Sequence, residues 1–321
     1  MKSAVKPLSP PFGGGMSCPV VGRCSERTAE QVPIENTTMN RALRSLVCEP
    51  PFRLLFKAAL TNGIARRYAF EWAALFDAVR YPPYAVGLQT ACKYASLAGE
   101  TGFTAIEFGV AGGNGLLELS RYAATLSRGT GLKIEVVGFD AISGLPVSPD
   151  RRDAPWLWNP GDFPSDVVRL RRMLPPETEL VVGRIQDTLP KWLQEESRLP
   201  IGFVSVDVDL YSGAAAICEG MANANVKCLL PFVSFYLDDA LRFLTPRVTG
   251  ELAAVSEFNG RYSDRQFDRD DWIAEDRPFA ERLWLKRMYS LCNFDHPVMT
   301  DHKSRRVARL DLCAKNQQCK V

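Results

Sequence analysis

The chain has 321 residues, 46 % of them apolar and 24 % charged, with a formal net charge of +2. That length can bury one large core or two modest ones, and the near-neutral balance gives no global attraction to nucleic acid or to an anionic membrane. No apolar run approaches the roughly 18–20 residues that a membrane helix needs. Lys2 and Lys6 are followed by Pro and Gly where a signal peptide would carry its apolar stretch, so the chain is read as cytoplasmic. Nine cysteines are scattered without a C-x-x-C pair, and there are only two histidines, His296 and His302. This composition argues against a zinc site and against a disulfide framework; the thiols read mostly as small buried apolar groups.

In chain order, residues 1–40 combine Pro7, Pro10, Pro11, Gly13, Gly14, Gly15 and Pro19 with little periodicity. They read as a disordered extension, because such a composition buries too little surface to offset its ordering entropy. Residues 41–99 read as a helical cap. Residues 41–80 read as helical, with aromatic and aliphatic positions at Leu54, Leu55, Phe70, Trp72, Leu75 and Phe76; Pro82-Pro83 breaks the pattern, and a second helix covers about 85–97. From 100 to 299 the pattern becomes a regular strand–helix alternation. Strands are expected at 104–108, 133–139, 179–182, 202–206 and about 229–236, then a helix at 250–258 and one long or two short strands over 283–294. The strands are near-continuous apolar runs, as strands covered on both faces should be. The predicted architecture is therefore a doubly wound, Rossmann-like α/β sheet with an N-terminal helical cap. Residues 300–321 form a basic tail, whose last twenty residues carry six Lys/Arg against one acid, Asp311.

The stretch at 104–119, TAIEFGVAGGNGLLEL, sets the organisation of this domain. An apolar strand ends in Glu107, a loop carries glycines at 109, 112, 113 and 115, and Leu116, Leu119, Ala123 and Leu126 then share one helical face. Glycines let the backbone approach a ligand, and the helix start offers free N–H groups. The spacing is not the dinucleotide G-x-G-x-x-G. It reads Glu107-x-Gly109-x-Ala111-x-Gly113 and resembles the first motif of class I S-adenosylmethionine (SAM) methyltransferases, with alanine in place of the middle glycine. Asp140, 25 residues after Gly115 and at the end of the second strand, stands where this fold places an acceptor for ribose hydroxyls. Gln186 and Asp187, after the third strand, stand where an adenine edge would lie. The intervening segment 151–164, with Trp156, Trp158 and Phe163, reads either as a structured loop over the crevice or as a surface loop anchored by its tryptophans.

At least four strands end in an acid, and in an open parallel sheet the carboxyl ends line the ligand crevice. Asp207, Asp209, Asp238 and Asp239 follow two neighbouring strands. Four carboxylates cannot all ionise cheaply in a cleft, because like charges repel and burial disfavours charge. A hard divalent cation, Mg²⁺ or Ca²⁺, resolves this through oxygen ligands and lowers the pKa of a bound hydroxyl. With so few histidines, a carboxylate is the favoured general base. Asp209 is expected to point away from the others.

Together, EFGV at 107–110, GFDAISGLP at 138–146, DTLP at 187–190, DVDLY at 207–211 and the segment 250–258 resemble the ordered motifs of the macrocin-type O-methyltransferase family. Over 80–297, including FDHP at 294–297, the chain is similar to a bacterial group of uncharacterised class I methyltransferase-like proteins. The resemblance implies SAM as cofactor, Mg²⁺, and a small hydroxylated, sugar-like acceptor. It implies that Glu107, Gly109 and Gly113 hold SAM, that Asp140 holds its ribose, and that Asp207, Asp238 and Asp239 hold the metal, with Asp207 also the base. Two departures stand out. The family's Gly-Gly before the fifth strand is replaced by VKCLLP at 226–231, and its Asp-Asp-Tyr is Asp238-Asp239-Ala240.

The rival enzymatic reading, an NAD-dependent oxidoreductase, lacks G-x-G-x-x-G and a Tyr-x-x-x-Lys pair; a hydrolase lacks G-x-S-x-G. A non-catalytic nucleotide- or glycan-binding module on the same fold is the alternative of a different class. Homo-oligomerisation stays open.

Overall fold

A computed structural model describes residues 51–61, 69–195, 197–275 and 277–300. The expected disorder of residues 1–40, the start of the cap and the basic tail lie outside the described residues. The segment expected to form the cap contains, among the described residues, α1 (Phe52–Thr61), α2 (Phe70–Leu75) and α3 (Pro82–Ala98). The Pro82-Pro83 pair both interrupts the preceding helical pattern and opens α3, since proline lacks only an N–H that the first turn leaves unused. Gly99, in the left-handed region, closes that helix.

Then follow β1 (Gly102–Phe108), α4 (Asn114–Thr130), β2 (Lys133–Asp140), α5 (Val167–Met173), β3 (Glu179–Val182), α6 (Ile185–Trp192) and β4 (Ile201–Val206). The chain continues through α7 (Tyr211–Asn223), β5 (Leu229–Leu237), α8 (Gly250–Arg261), β6 (Arg265–Arg269), β7 (Met288–Asn293) and α9 (Pro297–Thr300). Seven strands form one sheet in the order β3-β2-β1-β4-β5-β7-β6. The β3-β2-β1-β4-β5 portion is parallel, and β7 runs antiparallel to both its neighbours. This strand order with an inverted seventh strand defines the class I methyltransferase arrangement, a Rossmann-like α/β sheet.

Burial follows the period-two alternation of a strand covered on both sides. In β1, Phe103 and Ala105 join the core beneath α1–α4, whereas Ile106 and Phe108 join the core beneath α6–α8. In β4, Phe203 belongs to the first core and Val204 and Val206 to the second; in β5, Tyr236 belongs to the first and Phe235 and Leu237 to the second. Alternation therefore sends Glu107 and Ser205 toward α3 and α4. The expected cap helix α3 is consequently a layer of the core lying on β1, β4 and β5.

Two late features differ from the sequence expectation. Residues 283–287 form a 3-10 turn ahead of β7, so only the second half of 283–294 is strand. The added strand β6, sequence RQFDR, buries only Phe267; a charged outer strand carries almost no apolar periodicity to read. The VKCLLP substitution before β5 also has a visible consequence. The β4–β5 pairing jumps from Ile201↔Leu229 to Phe203↔Ser234, around Pro231, which has no N–H to give the ladder. Pairing resumes through Val206↔Leu237, so the end of β5 is in register with β4. No helix among the described residues is long and apolar enough to cross a membrane.

Candidate active site

The site is assembled by hydrogen bonds that carry the sheet one residue beyond its strands. The N–H groups of Gly109, Asp207 and Asp238 donate to the carbonyls of Phe139, Phe108 and Val206, each at 2.9 Å. The turns after β1, β4 and β5 thus leave the sheet side by side. A Cβ on Gly109 would stand 1.8 Å from the Asp207 carbonyl oxygen, so only glycine lets these two turns meet. Gly113 caps α4 with φ of +79°, packed against Leu170 and Met173 of α5. Ala111, at the position of the motif's middle glycine, has φ of +42°, a conformation that favours glycine.

Glu107 lies under the first turn of α4 and is 3 % exposed. Tyr84 of α3 donates its hydroxyl hydrogen to Glu107 Oε1 at 2.6 Å and accepts one from Ser205 Oγ at 3.0 Å. Gly115 makes room for this contact, since a Cβ there would lie 2.1 Å from Glu107 Oε1. Glu107 Oε2 is buried with no hydrogen-bond partner. Burial, opposed by the Tyr84 bond and reinforced by Asp207 and Asp140, holds the Glu107 carboxyl well above the usual carboxylate range.

Asp140 ends β2, and both its oxygens are engaged. Val110 and Ala111 N–H groups donate to Oδ2 at 2.9 and 2.8 Å, and the Ile142 N–H and Ser165 hydroxyl donate to Oδ1. The carboxylate clasps the glycine turn from the neighbouring strand. Gln186 and Asp187 are exposed in the first turn of α6, beyond β3.

Asp207, Asp238 and Asp239 each present a carboxylate oxygen within 4.8 Å of the other two. Burial first, then Asp238 and Asp239, push Asp207 up to about 7, against the pull of Arg242 and Arg287. Asp209 does not leave the group. Its N–H donates to Asp239 Oδ2 at 3.1 Å, and burial with the charges of Asp239 and Asp207 pushes its carboxyl up to about 8. The expectation that it points away is corrected by the backbone. Residues two apart on a strand share a face, and Asp209 itself has turned left-handed, with φ of +59°.

A fifth acid, Glu251 in the first turn of α8, completes the cluster. It is 2 % exposed, takes the Asp239 N–H on Oε2 at 3.1 Å and leaves Oε1 buried without a partner. Burial and the charges of Asp239, Asp207 and Asp238 hold it well above the usual range. In the sequence it looks like an ordinary helix-start glutamate, and only the fold brings it beneath Asp239. Tyr84 and Arg242 escape sequence reading for the same reason.

Cations and a loop border the acids. Arg242 pairs through Nη2 with Asp238 Oδ2, and its Nε lies 2.9 Å from Asp239 Oδ1, an ion pair without hydrogen-bond alignment. Tyr236 donates to Asp238 Oδ1 at 2.7 Å, and Arg287 Nη1 lies 3.6 Å from the same oxygen. The loop between β2 and α5 is structured. Asp153 accepts the Ser212 N–H at 2.7 Å, Arg152 bonds Glu257 at 2.6 Å and stacks on Tyr211, and Trp156 donates to the Leu244 carbonyl at 3.1 Å. It is tied to the start of α7, to the second half of α8 and to the turn after β5.

The residues present fit both implied groups. An unpartnered buried carboxylate oxygen on Glu107 suits the ammonium group of SAM, and the start of the seventeen-residue helix beside it suits the carboxylate of the same methionine end. Three converging carboxylates form an all-oxygen donor set of the kind a hard divalent cation takes.

No protein-family model matches the chain, and no curated protein matches it. Among solved structures, CalS11, a calicheamicin methyltransferase, is similar at 20 % identity, covering 66 % of this chain and 86 % of that one with a TM-score of 0.38. The O-methyltransferase NovP is similar at 18 % identity over 53 % of this chain and 72 % of its own, with a TM-score of 0.37. The plantazolicin methyltransferase BamL is similar at 8 % identity over 75 % and 95 % of the two chains, with a TM-score of 0.35. The fold assignment rests on the strand order, not on these likenesses.

Proposed function

We propose that the protein is a SAM-dependent O-methyltransferase acting on a small hydroxylated, sugar-like acceptor with the assistance of Mg²⁺. The observation that carries this reading is the convergence of Asp207, Asp238 and Asp239 at the carboxyl ends of β4 and β5, beside the glycine turn of β1. When bound, SAM supplies an electrophilic methyl group, and Mg²⁺ supplies positive charge next to the acceptor oxygen.

The chain's own residues then have distinct tasks. Glu107, Gly109 and Gly113 shape the cofactor end, and Asp140 keeps the Val110–Ala111 backbone in place and lies nearest the ribose position. Gln186 and Asp187 border the adenine end. Asp207, Asp238 and Asp239 hold the cation. Asp207 would also be the group that accepts the acceptor's hydroxyl proton, the carboxylate standing in for the histidines this chain lacks. Holding acceptor and methyl donor in one crevice supplies the remaining acceleration by orientation.

Asp207→Asn tests the assignment, because it removes a proton acceptor and a metal ligand while leaving the cofactor end untouched. The variant should retain calorimetric affinity for S-adenosylhomocysteine (SAH) and lose methyl transfer to a panel of sugars and phenols. Full turnover in Asp207→Asn, or in excess EDTA, would leave proximity catalysis without metal. Binding of NAD in preference to SAM and SAH would overturn the cofactor.

A further inference from the structure

We infer that Arg242 is a built-in stand-in for the divalent cation, and that it must swing away before a metal can enter the Asp207–Asp238–Asp239 cluster. This inference rests on the metal reading above and adds to it a gate within the chain.

One guanidinium already faces two of the three converging carboxylates, through Nη2 toward Asp238 and Nε toward Asp239. Arg242 also lies close enough to Asp207 for their charges to act on each other. A guanidinium and a divalent cation compete for the same oxygens, since they repel each other and each neutralises the charge that attracts the other. The two partners of this ion pair differ in exposure. The Asp239 side chain is 2 % exposed and anchored by the Asp209 backbone, whereas the Arg242 side chain is 38 % exposed, so outward rotation buries nothing new.

The turn that carries Arg242 has the marks of a held conformation. Leu241 and Leu244, on either side of it, have φ of +63° and +69°, a region costly for leucine. Phe243 between them is 88 % exposed. Thr245 Oγ closes the turn by donating to the Arg242 carbonyl at 2.9 Å. Leu241 packs on the core and Thr245 Oγ1 reaches the Asp239 carbonyl at 3.3 Å, but the side-chain contacts of this turn with the carboxylates are the ion pairs of Arg242. Exchange of the guanidinium for a metal would release the turn, which also bears the Leu244 carbonyl that fastens Trp156 of the neighbouring loop. Cation exchange would therefore couple metal entry to movement at the acceptor side.

Mn²⁺ titration by calorimetry on the full chain tests the gate without any turnover. A site open only about one-tenth of the time binds about tenfold more weakly than a permanently open one. Arg242→Gln should accordingly bind Mn²⁺ about tenfold or more tightly than the parent, with SAH affinity unchanged, and adding Asp207→Asn should abolish the gain. Arg242→Lys keeps the charge but not the forked contact and should fall between the two; it carries the test if Arg242→Gln does not fold. Equal Mn²⁺ affinity in parent and Arg242→Gln would overturn the gate while leaving the metal site intact. Absence of Mn²⁺ binding in every variant would overturn gate and metal reading together. A gain that survives Asp207→Asn would place the ion elsewhere and overturn the gate.

Discussion

Tyr84, on a helix outside the sheet, donates to Glu107 Oε1 at 2.6 Å, while Glu107 Oε2, equally buried, has no partner. One oxygen is held by the fold, and the other is the atom that the proposed function gives to the cofactor. Tyr84→Phe should therefore cost about 1–3 kcal/mol of stability, the penalty for stranding a buried polar group. It should also weaken SAH binding, because the carboxyl is no longer held under α4. Urea unfolding and calorimetry check both; unchanged values in both would separate Glu107 from Tyr84 and from the cofactor.

Asp140 makes a different prediction from the one its sequence position suggests. Its Oδ2 clasps the Val110 and Ala111 amides before any ribose arrives. In ligand-free protein, Asp140→Ala should speed hydrogen exchange of those two amides. SAH binding should then weaken by about 1–3 kcal/mol, partly through the loosened turn. Exchange that stays as slow as in the parent would leave Asp140 a ribose contact only.

Ala111 occupies a left-handed conformation at φ of +42°. Ala111→Gly removes the Cβ strain but makes the unfolded chain more flexible, so stability should rise by at most about 1 kcal/mol. A thermal unfolding series reads the sign, and a loss larger than that would mean the methyl group packs against something it needs.

Buried acids set the pH dependence of the metal-free protein. Burial and mutual repulsion push Asp207 up to about 7 and Asp209 up to about 8, and raise Asp239, Glu251 and Glu107. A raised folded pKa means the native state keeps protons that the unfolded chain has released. The stability these groups allow is thus complete below the ordinary carboxylate range and is lost as pH rises through about 7 and 8. Surface acids held low by arginine, Asp150 and Asp271 among them, are already ionised in this window and do not oppose the trend. Unfolding temperature in EDTA should therefore fall between pH 5.5 and 8.5, windows chosen as roughly bracketing those values. Millimolar Mg²⁺ should reduce the slope, and a rise across the window would contradict the clustered carboxylates.

The sequence by itself determined the sheet and the position of its ligand edge. Apolar runs at 104–108 and 202–206 can only be strands covered on both faces, and the acids that end them mark the crevice by polarity alone. That Glu107 and Ser205 share a face comes from the pairing of β1 with β4, which the sequence does not carry. What it could not determine is which distant groups those acids meet. Tyr84 reaches Glu107 from 23 residues away, and Glu251 sits beneath Asp239 only because α8 returns to the end of β5. Asp209 stays in the cluster because one residue turns left-handed just after a strand. Arg242 faces Asp238 and Asp239 because the turn after β5 folds back on itself. Local pattern records burial and direction along a strand; the partners of a buried charge are set by crossovers and turns, and these are decided by the packing of the whole domain.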